Sequence, residues 1–479
     1  MKSITRRSFL RSTILTAAAV HLPLPAFTQT SPGDEVRVAV IGFGGRGGDH
    51  IKGLTALKGV RLTALCDADS QILGREVQRW KDKGVEVGAY TDIRKLLESA
   101  KVDAVSIATP NHWHALGAIW AIQAGKDVYL EKPVSHNVWE GRKIVEAARK
   151  YNRVVQAGTQ SRSSQGIKHA VEWVQQGNLG KILVSRGLCY KPRGSIGKVE
   201  GPQTVPANID YDLWCGPAPK VPLMRQKLHY DWHWVWDTGN GDLGNQGIHQ
   251  MDIARWFLGV DQLSTRVWSV GGRLGYVDDG QSANTQMIYH EYDQAPLIFE
   301  VRGLPEKIGA KNMDKYKGGS IAVIVECEGG YVLVPNYNSA IAYDKEGKEI
   351  KKWQGAKDHY QNFIDVVRSR KCKDLNGGIW EGHLSSALCH TGNISYRLGK
   401  QSKPEEIKEA IKGDRTATDT FERMAAHLAA NGVDIEATPL ALGVVLKMDP
   451  KVEKFIGNKE ADAMLTREYR APYIVPERV

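Results

Sequence analysis

Gly42, Phe43, Gly44, Gly45, Arg46 and Gly47 form a G-x-G-x-x-G turn directly after the β-branched run Val36-Arg37-Val38-Ala39-Val40-Ile41. Glycines at these spacings allow a tight turn and let backbone N–H groups approach a phosphate closely. Residues 50–57 read as a helix, whose first N–H groups and positive dipole end suit a pyrophosphate. Such a turn alone is a weak signal. Here a second apolar run, residues 60–65, ends at Asp67, 25 residues beyond Gly42. A carboxylate at that point binds adenosine ribose hydroxyls and repels a 2′-phosphate, so the combination predicts a site for NAD rather than NADP.

The elements that must position this turn alternate regularly. Residues 104–108 read as a buried strand, 112–124 as a helix, 127–130 as a strand and 138–151 as a helix. Strands interleaved with helices imply a parallel, doubly wound sheet, with ligands gathered at the carboxyl ends of its strands. Two motifs fall at such ends: Thr109-Pro110-Asn111-His112-Trp113-His114, and Glu131-Lys132-Pro133.

Together with the glycine turn, these motifs resemble the glucose–fructose oxidoreductase / inositol dehydrogenase / MocA (Gfo/Idh/MocA) family over residues 36–398, and the Glu-Lys-Pro triplet is the most telling piece. The resemblance implies an α/β chain: an N-terminal Rossmann domain with a doubly wound parallel sheet, then a C-terminal α+β domain with an open, mostly antiparallel sheet. It implies an NAD-dependent oxidoreductase. Lys132 would touch the reacting hydroxyl and Pro133 would follow a cis peptide bond. Thr109, Pro110, Asn111 and His114 would line the nicotinamide half of the cofactor, with Glu131 and Gln160 close by. Arg162, just after a strand at 154–157, is a substrate candidate. A Lys near a cationic nicotinamide has reason for a lowered pKa.

The segment from Gly239 to Asp252 is similar to the family's Gly-rich turn followed by Asp-x-Gly-x-His. Its His falls on His249, which the resemblance makes the general base. Its Asp falls on Asn245, a departure. An amide four residues earlier on one helical face can orient a hydroxyl or the imidazole, but it cannot exchange a proton. Lys132 is then expected to share the proton work, or Asp242 to substitute.

Residues 229–237 hold His229, Tyr230, Trp232, His233, Trp234 and Trp236. Flat indole faces suit the C–H faces of sugar rings, and equally suit a core. Trp232, His233 and Trp234 are substrate candidates on the first reading, and Tyr190, in the turn 190–194, is a further one. A His229/His233/His249 metal set has little support, because His-x3-His in a loop does not fix geometry; no metal is expected.

Residues 359–370 and 383–398 read as amphipathic helices returning to the nucleotide domain. The divisions expected are a leader at 1–33, the NAD-binding domain at 34–155, the substrate domain at 156–400 and an extension at 401–479. The formal charge of +10 is partly that of Lys2, Arg6, Arg7 and Arg11, all before the first acidic residue, Asp34. No basic block with interleaved aromatics points to nucleic acid. The six cysteines form no Cys-x-x-Cys pair, which suggests neither zinc nor a disulfide framework.

Thr5-Arg6-Arg7-Ser8-Phe9-Leu10-Arg11 and the short apolar stretch after it resemble a twin-arginine export signal. The stretch is far shorter than the ~20 residues of a membrane span. The resemblance implies recognition by the twin-arginine translocation machinery, a periplasmic or otherwise exported location, and a cofactor held tightly from folding onward. Homo-oligomerisation follows from family resemblance alone. Three function classes are open: hydride transfer between NAD and a saccharide or polyol hydroxyl; an NAD-dependent glycosidase that oxidises, eliminates, hydrates and re-reduces; and a non-catalytic sugar-binding protein on a dehydrogenase scaffold, which Asn245 motivates.

Overall fold

A computed structural model describes residues 35–479, so the leader expected at 1–33 lies outside the described residues. Six short segments, most of them apolar and β-branched, form the first sheet: β1 (Val36–Ile41), β2 (Val60–Cys66), β3 (Gly88–Tyr90), β4 (Ala104–Ile107), β5 (Asp127–Leu130) and β6 (Val155–Ala157). All pair in parallel in the order β3-β2-β1-β4-β5-β6, with crossover helices between them. Every residue of β4 and β5 is buried, as a sheet covered on both faces requires. The order reverses between β1 and β4, where the two strand ends open a crevice.

The second sheet is built from β7 (Ile182–Cys189), β8 (Arg266–Gly272), β9 (Thr285–Glu291), β10 (Leu297–Arg302), β11 (Ile321–Cys327), β12 (Gly330–Val334), β13 (Ser339–Asp344) and β14 (Glu349–Gln354). They run in the order β14-β13-β12-β11-β7-β10-β9-β8. Only the β7–β10 pair within that path is parallel. One face packs on helices Gln165–Gln175, Ile248–Leu258 and Ile379–Arg397 around Phe257, Phe299 and Leu388.

The chain beyond residue 400 extends this sheet. β15 (Lys400–Ser402) and β16 (Leu440–Leu442) add to its β8 edge. Helices Pro404–Ile411 and Arg415–Ala430 lie on the second face, burying Ile407, Phe421 and Met424 against Trp268, Val270 and Met287. Beneath them sits a buried charge network: Arg423 and Arg302 hold Glu300, which also accepts from the Tyr190 hydroxyl at 2.7 Å.

Two returns tie the halves together. Helix His359–Ser369 packs Phe363, Ile364 and Val367 against the β1 side of the first sheet, and the last residues bury Tyr473 and Val475 on its other side. No helix among the described residues is long and apolar enough to cross a membrane.

Candidate active site

The crevice at the β1/β4 switch point is a cavity of about 350 Å³. Gly42 turns there with φ +76°, and a Cβ on it would meet the Thr109 backbone at 2.8 Å. A Cβ on Gly47 would lie 2.0 Å from the Gly42 carbonyl, so glycine lets helix Arg46–Thr55 press onto the turn. Gly45, by contrast, faces open space, and no side chain caps the helix it begins. Uncapped N–H groups beside an open cradle fit a pyrophosphate. Asp67 stands at the end of β2, its Oδ2 accepting from Phe43 N at 3.0 Å and its Oδ1 from Asp69 N at 3.0 Å. Burial raises its pKa and those N–H groups oppose the rise.

Gly42, Phe43, Gly44, Gly45, Arg46, Asp67, Thr109, Pro110, Asn111, His114, Glu131, Lys132, Trp232, His233 and Asn245 all border this cavity. Gly47 lies just behind the turn. His114 spans two strand ends, with Nδ1 2.6 Å from the Pro133 carbonyl and Nε2 2.8 Å from that of Thr109. The Lys132–Pro133 peptide is cis, as the resemblance implied.

Glu131 borders the cavity with its carboxylate already bonded to protein groups. Its Oε1 accepts from His50 Nε2 at 2.9 Å and Arg46 Nε at 3.1 Å, and its Oε2 accepts from Lys132 N at 3.1 Å. Burial works against its ionisation, yet His50, Lys132 and Arg46 hold it well below the usual carboxylate range. His50 is fully buried and its Nδ1 lies 2.7 Å from Ser106 Oγ.

The Lys132 ammonium, lowered by burial but supported by Glu131 and Asp242, donates to the backbone carbonyl of Asn245 at 2.8 Å. Residues Leu243–Gly247 wind as a π-helical turn, and the α-helix starts only at Ile248. Asn245 and His249 therefore do not share one regular α-helical face, and it is the carbonyl of Asn245 that meets Lys132. The amide of Asn245 lies 3.4 Å from Asp242, whose carboxylate is engaged by Arg193 at 2.7 and 2.8 Å. A carboxylate so paired is poorly placed to replace a proton-exchanging acid. His249, in the first turn of that helix, is 7 % exposed, set behind the cavity wall with its ring 5.0 Å from that of Tyr337. Burial, with the Lys132 charge, pushes its pKa down to about 3, and its Nδ1 has no partner.

Also on the cavity wall, the Trp232 and His233 rings stack at 3.6 Å. Tyr230, with φ +66°, accepts from Arg193 through its hydroxyl at 2.7 Å, and His229 pairs with Asp69 at 3.2 Å. Both border the cavity, as do Trp113 and Trp214.

Besides His249, four expected contacts lie off the cavity wall. Tyr190 is fully buried under the extension, bonded to Glu300, because it continues the outer-face register of β7. Arg162 is held bidentate by Asp252 at 2.8 Å on both oxygens and lies 4.6 Å from the Trp256 ring. Trp234 is buried beneath Arg193. Gln160 begins a 3-10 turn and lies off the cavity wall. Among the described residues no group of three His, Cys, Asp or Glu is arranged to hold a metal.

With this geometry in view, the likeness to known proteins is specific. Residues 36–159 match the oxidoreductase family, NAD-binding Rossmann fold, and residues 164–427 match its C-terminal alpha/beta domain. The chain belongs to the Gfo/Idh/MocA oxidoreductase family, and its first domain is an NAD-binding domain. Over 171 residues it is 33% identical to a glycosyl hydrolase family 109 protein from Shewanella sp., covering 31% of this chain and 38% of that one. Over 180 residues it is 26% identical to inositol 2-dehydrogenase from Salmonella paratyphi B, covering 37% and 52%. The matched stretches thus span about half, or less, of these relatives. In fold, it is similar to the WlbA dehydrogenase of Bordetella pertussis, solved with NADH and UDP-GlcNAcA, at TM-score 0.54 and 18% identity over 74% of this chain and 94% of that one.

Proposed function

We propose that this enzyme transfers hydride between a secondary hydroxyl of a sugar, glycoside or cyclitol and tightly held NAD. The observation that carries the reading is the Lys132 ammonium, fixed by the Asn245 carbonyl on the wall of the cavity that the glycine cradle and the Trp232/His233 stack also line. NAD, when bound, supplies the hydride acceptor or donor. Gly42 to Gly47 and Asp67 would hold it, with Thr109, Pro110 and Asn111 on the same cavity wall. Lys132 holds the substrate oxygen and carries part of the proton transfer. His249, which the family pattern makes the general base, stands neutral just behind the cavity wall. The indole face of Trp232 receives the sugar's C–H face. A saccharide or polyol is the substrate class, in keeping with the inositol 2-dehydrogenase relative.

The family 109 relatives favour a second reading, a redox-neutral glycosidase, for which His233 and Tyr230 are the acid or base within reach of the cavity. The twin-arginine leader supports export, and export supports a cofactor that is reset within each turnover. Self-association would use the part of the second sheet that helices 404–430 leave uncovered.

The test is to denature the purified protein, identify the released nucleotide, and follow reduced-nicotinamide absorbance while adding sugars and aryl glycosides. NADH accumulating with a ketosugar supports hydride transfer as the net reaction. Aglycone release without NADH supports the glycosidase, and absence of a nucleotide sinks the tight-cofactor reading.

A further inference from the structure

A second cavity, of about 190 Å³, opens between helix Ile379–Arg397, the 236–240 loop and the segment after helix Lys459–Ala463. Its wall carries two guanidinium groups, Arg397 and Arg467, and two imidazoles, His136 and His390. Arg467 donates to the Asp237 carbonyl at 2.9 Å and to His136 Nδ1 at 3.1 Å. Arg397 lies over the Trp236 ring at 5.0 Å. Among the described residues neither guanidinium has a carboxylate within ion-pair distance; Asp237, itself on the cavity wall, acts on Arg397 from farther away, and Glu140 acts on Arg467.

His390 is 3 % exposed, and its Nδ1 has no hydrogen-bond partner, while its Nε2 lies 3.5 Å from Ser135 Oγ. Burial holds both imidazoles neutral, and the Arg467 charge adds to the effect at His136. Arg397 and Arg467 repel each other across this partly enclosed space, and no carboxylate takes up the N–H donors of either in an ion pair among the described residues. Guanidinium donors in that setting suit the oxygens of a carboxylate or a phosphoryl group. The space is about half that of the cofactor cavity, enough for a small organic anion as well as a bare ion.

We propose that this cavity is a binding site for a small molecule bearing a carboxylate or phosphoryl group, held between Arg397 and Arg467 and against His390. It is separate from the cofactor site but adjoins it: Asn240 lines it and accepts from Asn111 of the cofactor cavity at 2.9 Å.

The test is isothermal titration of inorganic phosphate, and separately of succinate, into the protein saturated with NAD, so that the pyrophosphate cradle is already filled. Saturable binding of either probe is expected, weakened at least about tenfold, roughly 1.4 kcal/mol, by Arg397→Gln. Arg397 is exposed, and an unchanged melting temperature checks that the variant is folded; Arg467→Gln gives a second reading. Tighter binding of phosphate assigns a phosphoryl ligand, and tighter binding of succinate a carboxylate. No saturable binding of either probe, or equal affinity in wild type and R397Q, overturns the proposal.

Discussion

The Lys132 ammonium donates to the Asn245 carbonyl across 2.8 Å, joining the end of a Rossmann strand to the π-helical turn of the second domain. A π turn offsets the carbonyls that a regular helix would have consumed. Here one of them orients the amine without neutralising it. Lys132→Met should lower hydride transfer by roughly 10²- to 10⁴-fold, and His249→Ala by a similar factor, with NAD still bound. Single-turnover absorbance at the reduced-nicotinamide band, with the nucleotide content of each variant, checks this. Near-normal turnover in either variant would remove that residue from the proposed mechanism.

Glu131→Gln isolates the charge behind Lys132. The carboxylate supports the ammonium, so its loss lowers the Lys132 pKa further. If the protonated amine holds the substrate oxygen, turnover falls as pH rises through that pKa. The alkaline limb should therefore begin at lower pH in the variant. Loss of charge-assisted bonds to His50 and Arg46 should also cost about 1.5–3 kcal/mol of stability. A pH–rate profile that keeps its alkaline limb would sever the link between Glu131 and Lys132.

Sequence legibility followed the range of the constraint. Gly42, Gly47 and Asp67 could be placed from sequence because a tight turn and a strand end leave few residue types and spacings open. Lys132 followed from its strand end and the family motif. Arg162 and Tyr190 were misplaced because their partners, Asp252 and Glu300, are 90 and 110 residues away, and local pattern carries no sign of such pairing. His50 looked like any helix residue until β4 and β5 brought Ser106 and Glu131 to its two nitrogens. The π turn was hidden for a different reason: one extra residue per turn leaves the Gly-rich spacing readable as an ordinary helix start.

Asp67→Ser should relax cofactor choice. The wild-type carboxylate at the end of β2 disfavours a 2′-phosphate, and a hydroxyl removes that repulsion while leaving an acceptor for Phe43 N. The ratio of NADP to NAD affinity is expected to rise on the order of tenfold, about 1.4 kcal/mol. Titration of both nucleotides into protein stripped of its cofactor measures it. An unchanged ratio would mean that selectivity resides elsewhere in the cavity.

Acid should destabilise the fold before ordinary carboxylates titrate. Burial holds His112, His233, His249, His290 and His390 down to about 3, and His359 to about 4. These groups stay neutral in the native state, whereas the unfolded chain gains protons below a pKa of about 6.5. Unfolding then takes up protons, so stability is full above pH 6.5 and falls as pH drops toward the native values. Each such histidine contributes at most about 1.4 kcal/mol per pH unit in that window. Asp67 and Glu140, whose carboxyls burial raises, oppose part of the loss. Glu300 and Asp314, both held at about 2, add to the loss once pH falls below the ordinary carboxylate range of about 4. The melting temperature should drop steeply between pH 6.5 and 5, and His290→Asn should shallow that slope by up to one proton. A flat melting temperature across this window would mean that the buried imidazoles are protonated in the native protein.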